Sequence, residues 1–169
     1  MKNKIIMGAV AASLTLAGCS QAGGDGATAT AAAGDTKCHS AKQADVEALF
    51  DQFNAAWATK DPAKVTELFS KNAVLLATVS NKPRTTTAEI NDYFVKFLQG
   101  SPVGKIDTST VKIDCDDAER VGTWTVSLTD AKTGAKTDVK ARYSFIYVME
   151  DGKWKIDHLH SSMMPEPTS

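Results

Sequence analysis

The feature that most constrains this chain is a change in the spacing of its apolar residues partway along. From residue 44 to 98 they recur every three or four positions, and from about 106 to 161 they largely alternate. The first period is that of helices with one apolar stripe, the second that of strands with one apolar face. Stripe and face must both be buried, and each is the natural cover of the other. The expected class is α+β: three N-terminal helices packed on a curled, mostly antiparallel β-sheet, a cone that encloses a cavity.

Val46, Leu49, Phe50, Phe53 and Trp57 mark the first helix, which ends near Thr59. Asp61-Pro62 then provides an N-cap and a first-turn proline for a shorter helix carrying Val65, Leu68 and Phe69. Residues 73–79 form an apolar run of strand length. Thr86 or Thr87 caps a third helix with Ile90, Tyr93, Phe94, Phe97 and Leu98, and Gly100 with Pro102 ends it. Strands follow at about 106–115, 119–129, 138–149 and 153–161, with turns at Asp116-Asp117, Thr133-Gly134 and Asp151-Gly152.

If Asp151-Gly152 closes a two-residue hairpin, Met149 opposes Trp154, Tyr147 opposes Ile156, Phe145 opposes His158 and Tyr143 opposes His160. That register places Tyr143, Tyr147, His158 and His160 on the cavity face. Arg142, Ser144, Ile146, Val148, Leu159 and Ser161 fall on the other face, where Ile146, Val148 and Leu159 make an apolar patch suited to a subunit interface.

The first residues carry an address. Lys2 and Lys4 precede an apolar stretch too short for the roughly 20 residues that span a bilayer, and small residues lead to a single cysteine. Leu16-Ala17-Gly18-Cys19 resembles a bacterial lipobox, which implies that residues 1–18 are a removed signal peptide and that Cys19 is lipidated. Ser20, where an aspartate would signal inner-membrane retention, points to a lipid anchor in the outer membrane facing the periplasm. Residues 19–37, rich in Gly, Ala and Thr, read as the lipidated Cys and a flexible tether, and residues 38–167 as the domain. A chain of 169 residues supports one core. Its 19 lysines and arginines against 20 acids include no basic block interleaved with aromatics, so nucleic acid is not an expected partner.

Cys38 and Cys115 remain once Cys19 is lipidated, an even pair in an oxidising compartment that suggests a disulfide. The competing reading makes Cys115, alternating with Val111 and Ile113, a buried small hydrophobe. Among groups able to do chemistry, His158 and His160 are the candidates for acid–base catalysis, because imidazole titrates near neutrality. Zinc would need a third ligand that the neighbouring sequence does not offer, so no metal is expected. No Ser-His-Asp set and no glycine-rich cofactor loop stands out, and no cofactor is expected.

The segment Ala141-Arg142-Tyr143-Ser144-Phe145-Ile146-Tyr147, followed by Asp151-Gly152-Lys153-Trp154 and His158-Leu159-His160-Ser161-Ser162-Met163-Met164-Pro165-Glu166, resembles a known signature. Together with Thr78-Val79-Ser80-Asn81, Arg84-Thr85, Tyr93-Phe94 and Phe97-Leu98, it is similar to the association domain of calcium/calmodulin-dependent kinase II and to bacterial NTF2-like (SnoaL-like) relatives. The resemblance implies a cystatin-like cone that assembles with copies of itself through its sheet, as a homodimer or a ring. It implies no kinase activity, since no kinase catalytic-loop or DFG signature is present. Aligned on Asp151-Gly152-Lys153-Trp154, the pocket arginines of the kinase domain fall at Phe145 and Ser161, while His158 and His160 match its paired histidines. Arg84 is the cation left to face a ligand.

The expectation is a membrane-anchored envelope protein that self-associates and holds a small ligand through Tyr143, Tyr147, His158, His160, Tyr93 and Arg84. The alternative is a SnoaL-like enzyme, an isomerase, hydrolase or oxidoreductase, that uses a pocket histidine as general acid or base.

Overall fold

A computed structural model describes Cys38 and residues 41–165. The expected signal peptide, lipidated Cys19 and tether lie outside the described residues.

Helix α1 spans Gln43–Ala58 and buries Val46, Phe50, Phe53 and Trp57. The Asp45 carboxylate accepts the Lys42 backbone N–H at 2.9 Å, satisfying one of the donors a helix start leaves open. Helix α2, Pro62–Thr66, is capped by Asp61, whose carboxylate accepts the Ala63 N–H at 2.9 Å. Strand β1 is Phe69–Leu76, and α3, Thr87–Phe97, is capped by the Thr86 hydroxyl. A 3₁₀ turn, Leu98–Gly100, leads into β2 (Val103–Ile113), β3 (Asp117–Thr129), β4 (Lys136–Glu150) and β5 (Lys153–Met163).

Two boundaries differ from expectation. Phe69 opens β1 instead of extending the second helix, because the Leu68 carbonyl accepts the Ile156 N–H at 2.8 Å and sheet pairing takes over the backbone. Residues 77–79 leave the sheet in a turn in which the Ser80 N–H reaches the Ala77 carbonyl.

The sheet order is β1-β5-β4-β3-β2, parallel between β1 and β5 and antiparallel elsewhere. Pairing of β4 with β5 begins as the two-residue hairpin requires, with Met149 opposite Trp154 and Tyr147 opposite Ile156. Ile146 then pairs with His158, so Asp157 is an extra residue in β5 and a β-bulge reverses every later position. Phe145 opposes Leu159 and Tyr143 opposes Ser161 on the inner face, whereas Ser144 opposes His160 on the outer one. The simple hairpin register therefore fails beyond Ile156. Leu159, expected in the interface patch, is a core residue at 3% exposure, and His158 and His160 lie on the outside of the sheet.

The helices cover the inner face through an aromatic cluster centred on Phe53, whose ring meets Trp57, Phe69, Phe94 and Phe145 at centroid distances of 4.7 to 6.1 Å. Each such contact adds about 0.5–1.5 kcal/mol beyond area burial. Helix α1 is pinned to the sheet twice. Asn54 exchanges two hydrogen bonds with the backbone of Gly104, at 2.8 and 3.1 Å. The buried Arg120 of β3 donates to the Glu47 carbonyl and the Ser109 hydroxyl, both at 2.9 Å, and lies over the Phe50 ring. Those bonds offset the cost of burying its charge.

Cys38 and Cys115 are bonded, their Cα atoms 4.9 Å apart. Cys115 follows the end of β2 in the turn to β3, so the alternation of Val111 and Ile113 does not extend to it. For a sequence separation of 77 residues the chain-entropy model gives about 4.5 kcal/mol. Reduction should cost up to that amount in a urea titration, and no change in midpoint would exclude the bridge.

A bulge in β2 at Asp107 brings the Thr108 carbonyl over Gly122 and under the Tyr143 hydroxyl, which donates to it at 3.0 Å. A β-carbon at Gly122 would stand 2.0 Å from that carbonyl oxygen. Gly122→Ala should therefore lose about 3 kcal/mol of stability by overpacking, measured by chemical denaturation.

Candidate binding cavity

The cavity lies between the inner face of the sheet and the C-terminal parts of α1 and α3. Phe53 and Trp57 come from α1 because helical spacing puts them on the stripe facing the sheet, and Tyr93, Phe94 and Phe97 come from α3 for the same reason. The sheet contributes Leu75, Trp124, Val126, Val139, Leu159 and Ser161, and the turn after β1 adds Thr78 and Val79. The volume of the cavity between these walls is about 40 Å³.

Its polar content is small and includes the hydroxyls of Thr78, Tyr93 and Ser161. Ser161 accepts hydrogen bonds from the Thr78 hydroxyl and from the Trp124 indole, the latter at 3.1 Å, which leaves its own proton to be given elsewhere. The Trp57 indole N–H is buried and has no hydrogen-bond partner among the described residues. Tyr93 is the one titratable side chain in the lining, and burial pushes its hydroxyl up to about 12, against the pull of Arg84. Such a lining can solvate a neutral apolar group and donate to an acceptor, but it offers no group that exchanges a proton near neutral pH.

The residues expected at this site are scattered by the fold. Tyr93 lines the cavity, and Arg84 lines the adjoining groove at its mouth. Tyr143 does not reach the cavity, because its hydroxyl is committed to the Thr108 carbonyl. Tyr147 lines a separate small cleft with Leu49, Gln52 and Trp154, and its buried hydroxyl has no partner among the described residues. His158 and His160 sit behind the sheet: His158 is flanked by Val74 and Ile146, His160 by Leu76 and Ser144. Arg142, on the same outer face, donates to Ser162 at 3.1 Å. Among the described residues no group of three or more His, Cys, Asp or Glu side chains could hold a metal ion, and no helix is long and apolar enough to cross a membrane.

Sequence reasoning passed over Trp57, Thr78 and Ser161 as cavity residues. Trp57 reads as one more member of a helical stripe. Ser161 reads as outward-facing until the extra residue in β5 is known.

Helices laid over the concave face of one curled sheet, with an apolar cavity between them, make this an α+β protein of the NTF2-like, cystatin-like fold. Within that fold, the family model of the calcium/calmodulin dependent protein kinase II association domain matches residues 42–165, and the chain belongs to that family. A crystal structure from Xanthomonas campestris, described as an association domain of this kind, is 48% identical over 75% of this chain and 91% of its own, with a TM-score of 0.73. An NTF2-like protein from Novosphingobium aromaticivorans is 11% identical over 73% of this chain and 82% of its own (TM-score 0.62). A ketosteroid isomerase-like protein from Erwinia carotovora atroseptica is 16% identical over 73% and 96% (TM-score 0.59). At these identities the last two share the fold alone. None of the curated proteins matches the chain.

Burial holds His158 below its ordinary value of 6.5, the neighbouring His160 lowers it further, and Asp157 opposes both. The unfolded chain therefore binds this proton more readily than the folded one. The stability contributed by the neutral imidazole is complete above about pH 6.5 and is lost as pH falls below it. Between about pH 7.5 and 5.5 the melting temperature of the wild type should drop more than that of His158→Gln, and equal slopes would place His158 in free solvent.

Proposed function

We propose that this protein is a lipid-anchored module of the bacterial envelope that self-associates through the outer face of its sheet and binds a small, largely apolar ligand in its cavity. The observation that carries the ligand reading is the lining itself: aromatic walls, the buried Ser161 hydroxyl, and Tyr93 as its one titratable side chain. Acid–base catalysis by His158 or His160 would need an imidazole inside, and the β5 bulge turns both to the other side of the sheet. The chemistry on which an isomerase or hydrolase reading depends is thus directed away from the cavity.

Self-association is supported by membership of an association-domain family and by the composition of the outer face. Val74 and Leu76 on β1 and Ile146 and Val148 on β4 lie there on either side of β5, with Ile146 38% exposed. The lipid anchor and an outer-membrane position facing the periplasm rest on Leu16-Ala17-Gly18-Cys19 and Ser20, and the Cys38–Cys115 bond suits an oxidising compartment.

Native mass spectrometry of the protein made in its periplasmic form tests these statements together. A dimer or ring is expected, with a small-molecule mass released on collisional heating and a lipid mass on Cys19. Ile146→Asp should lower the oligomer number while leaving the bound mass in place, because the changed side chain faces away from the cavity. A wild-type monomer without adduct would refute both assembly and ligand. Any natural ligand that binds the folded state must also raise the melting temperature as its concentration rises.

A further inference from the structure

We propose that two copies of this chain, meeting on the outer faces of their sheets, join His158 and His160 of each into one four-imidazole site for a divalent ion of the zinc class. This rests on the reading of that face as the self-association surface and adds what stands at its centre.

The extra residue in β5 sets the pair in place. It turns His158 and His160 to the same outer face, two residues and so about 6.6 Å apart along the strand. From that spacing two imidazoles can lean onto a single ion, each offering the lone pair of a ring nitrogen. His158 is half-buried and His160 exposed, and neither ring enters a hydrogen bond or an ion pair among the described residues. The charges nearest to them are committed elsewhere. The Asp157 carboxylate accepts the Ser70 hydroxyl at 2.6 Å, Arg142 donates to Ser162 at 3.1 Å, and Glu119, beyond Ile146 in the row of His158, is engaged by Lys112 at 3.4 Å.

The pair stands in the middle of the apolar patch. Strand β5 runs between β1 and β4, and the register sets Val74 and Ile146 on either side of His158, and Leu76 and Ser144 on either side of His160. A two-fold dimer places one patch on its own copy, so residues at the centre of the patch meet their counterparts. Burying that patch therefore buries the histidines against each other. An imidazole taken out of water without a partner costs free energy, and the polar side chains flanking the pair amount to Ser144. A bound ion removes the cost, because it takes up the lone pairs that the apolar neighbours leave idle. Among the described residues one chain offers no group of three ligands. With the second copy there are four ring nitrogens, the tetrahedral set that zinc takes, from a ligand type that this class of ion favours.

The test uses the protein made in its periplasmic form and carrying His39→Gln, so that His158 and His160 are its only histidines. It is stripped with a chelator and titrated with Zn²⁺ under native mass spectrometry. One zinc per two chains is expected, and the assembly should resist dilution about tenfold better than in chelator, since an ion bound only by the assembled form must stabilise it. Co²⁺ in place of Zn²⁺ should give the intense visible bands of a four-coordinate ion, where an ion held by two imidazoles and water gives faint ones. His158→Gln and His160→Gln should each abolish zinc uptake and the gain in strength, and leave the assembly measured in chelator unchanged. An assembly that takes no zinc, one zinc per chain, or uptake that survives both substitutions overturns the shared site and leaves self-association intact. A monomer at every zinc concentration overturns the self-association reading and this inference with it. Because the stoichiometry and the Co²⁺ spectrum are read with both histidines in place, they decide the matter even if the substituted chains fail to fold.

Discussion

The Ser70 hydroxyl, on β1, donates to the Asp157 carboxylate at 2.6 Å, at the one place where β5 holds a residue more than its partner β4. A strand has a period of two, so a single extra residue exchanges its faces. Before it, Trp154 and Ile156 point inward. After it, Leu159 and Ser161 do, and the histidines between and before them point out. The wall of the cavity depends on this step: Leu159 lies against it where His158 would otherwise stand, and Ser161 joins Thr78 and Trp124 there. An imidazole in that position would make the cavity a place for proton transfer. With leucine and serine the wall carries no such group.

The same step shapes the back of the sheet. His158 pairs across to Val74 on one side and Ile146 on the other, and the row continues from Ile146 to the Glu119–Lys112 ion pair. A partner docking there would bury an imidazole already disposed to stay neutral. The cavity and the Ile146 face thus lie on opposite sides of one sheet, and a change on one face can leave the other unaltered. The aromatic cluster around Phe53 lies inside, between the helices and the sheet, and holds the two together.

Much of the fold is legible from residue order. The stripe Val46, Phe50, Phe53, Trp57, the cap Asp61-Pro62 and the turn Asp151-Gly152 all express local rules of spacing and backbone conformation. Elements whose ends are decided by distant partners are not legible in this way. Phe69 fits a helix stripe as well as a strand, and the choice is made by Ile156, far along the chain, whose N–H takes the Leu68 carbonyl. Of the candidate site, Tyr93 and Arg84 are found at the cavity and its mouth. Tyr143, Tyr147, His158 and His160 are not, because their placement was inferred from an uninterrupted hairpin or from the face that hairpin defines.

The sequence by itself determined the class of fold, the order of its elements and the family, since apolar period, caps and turn residues act over a few positions and need no knowledge of the rest. It also carries whatever address Cys19 confers, which is written in consecutive residues. Only the tertiary structure decided which side chains share the cavity. A bulge leaves no mark in a strand of suitable residues, and it forms here where Asp157 meets a serine 87 positions away in the chain. The face on which each later residue of β5 lies is a property of that meeting and not of β5 alone.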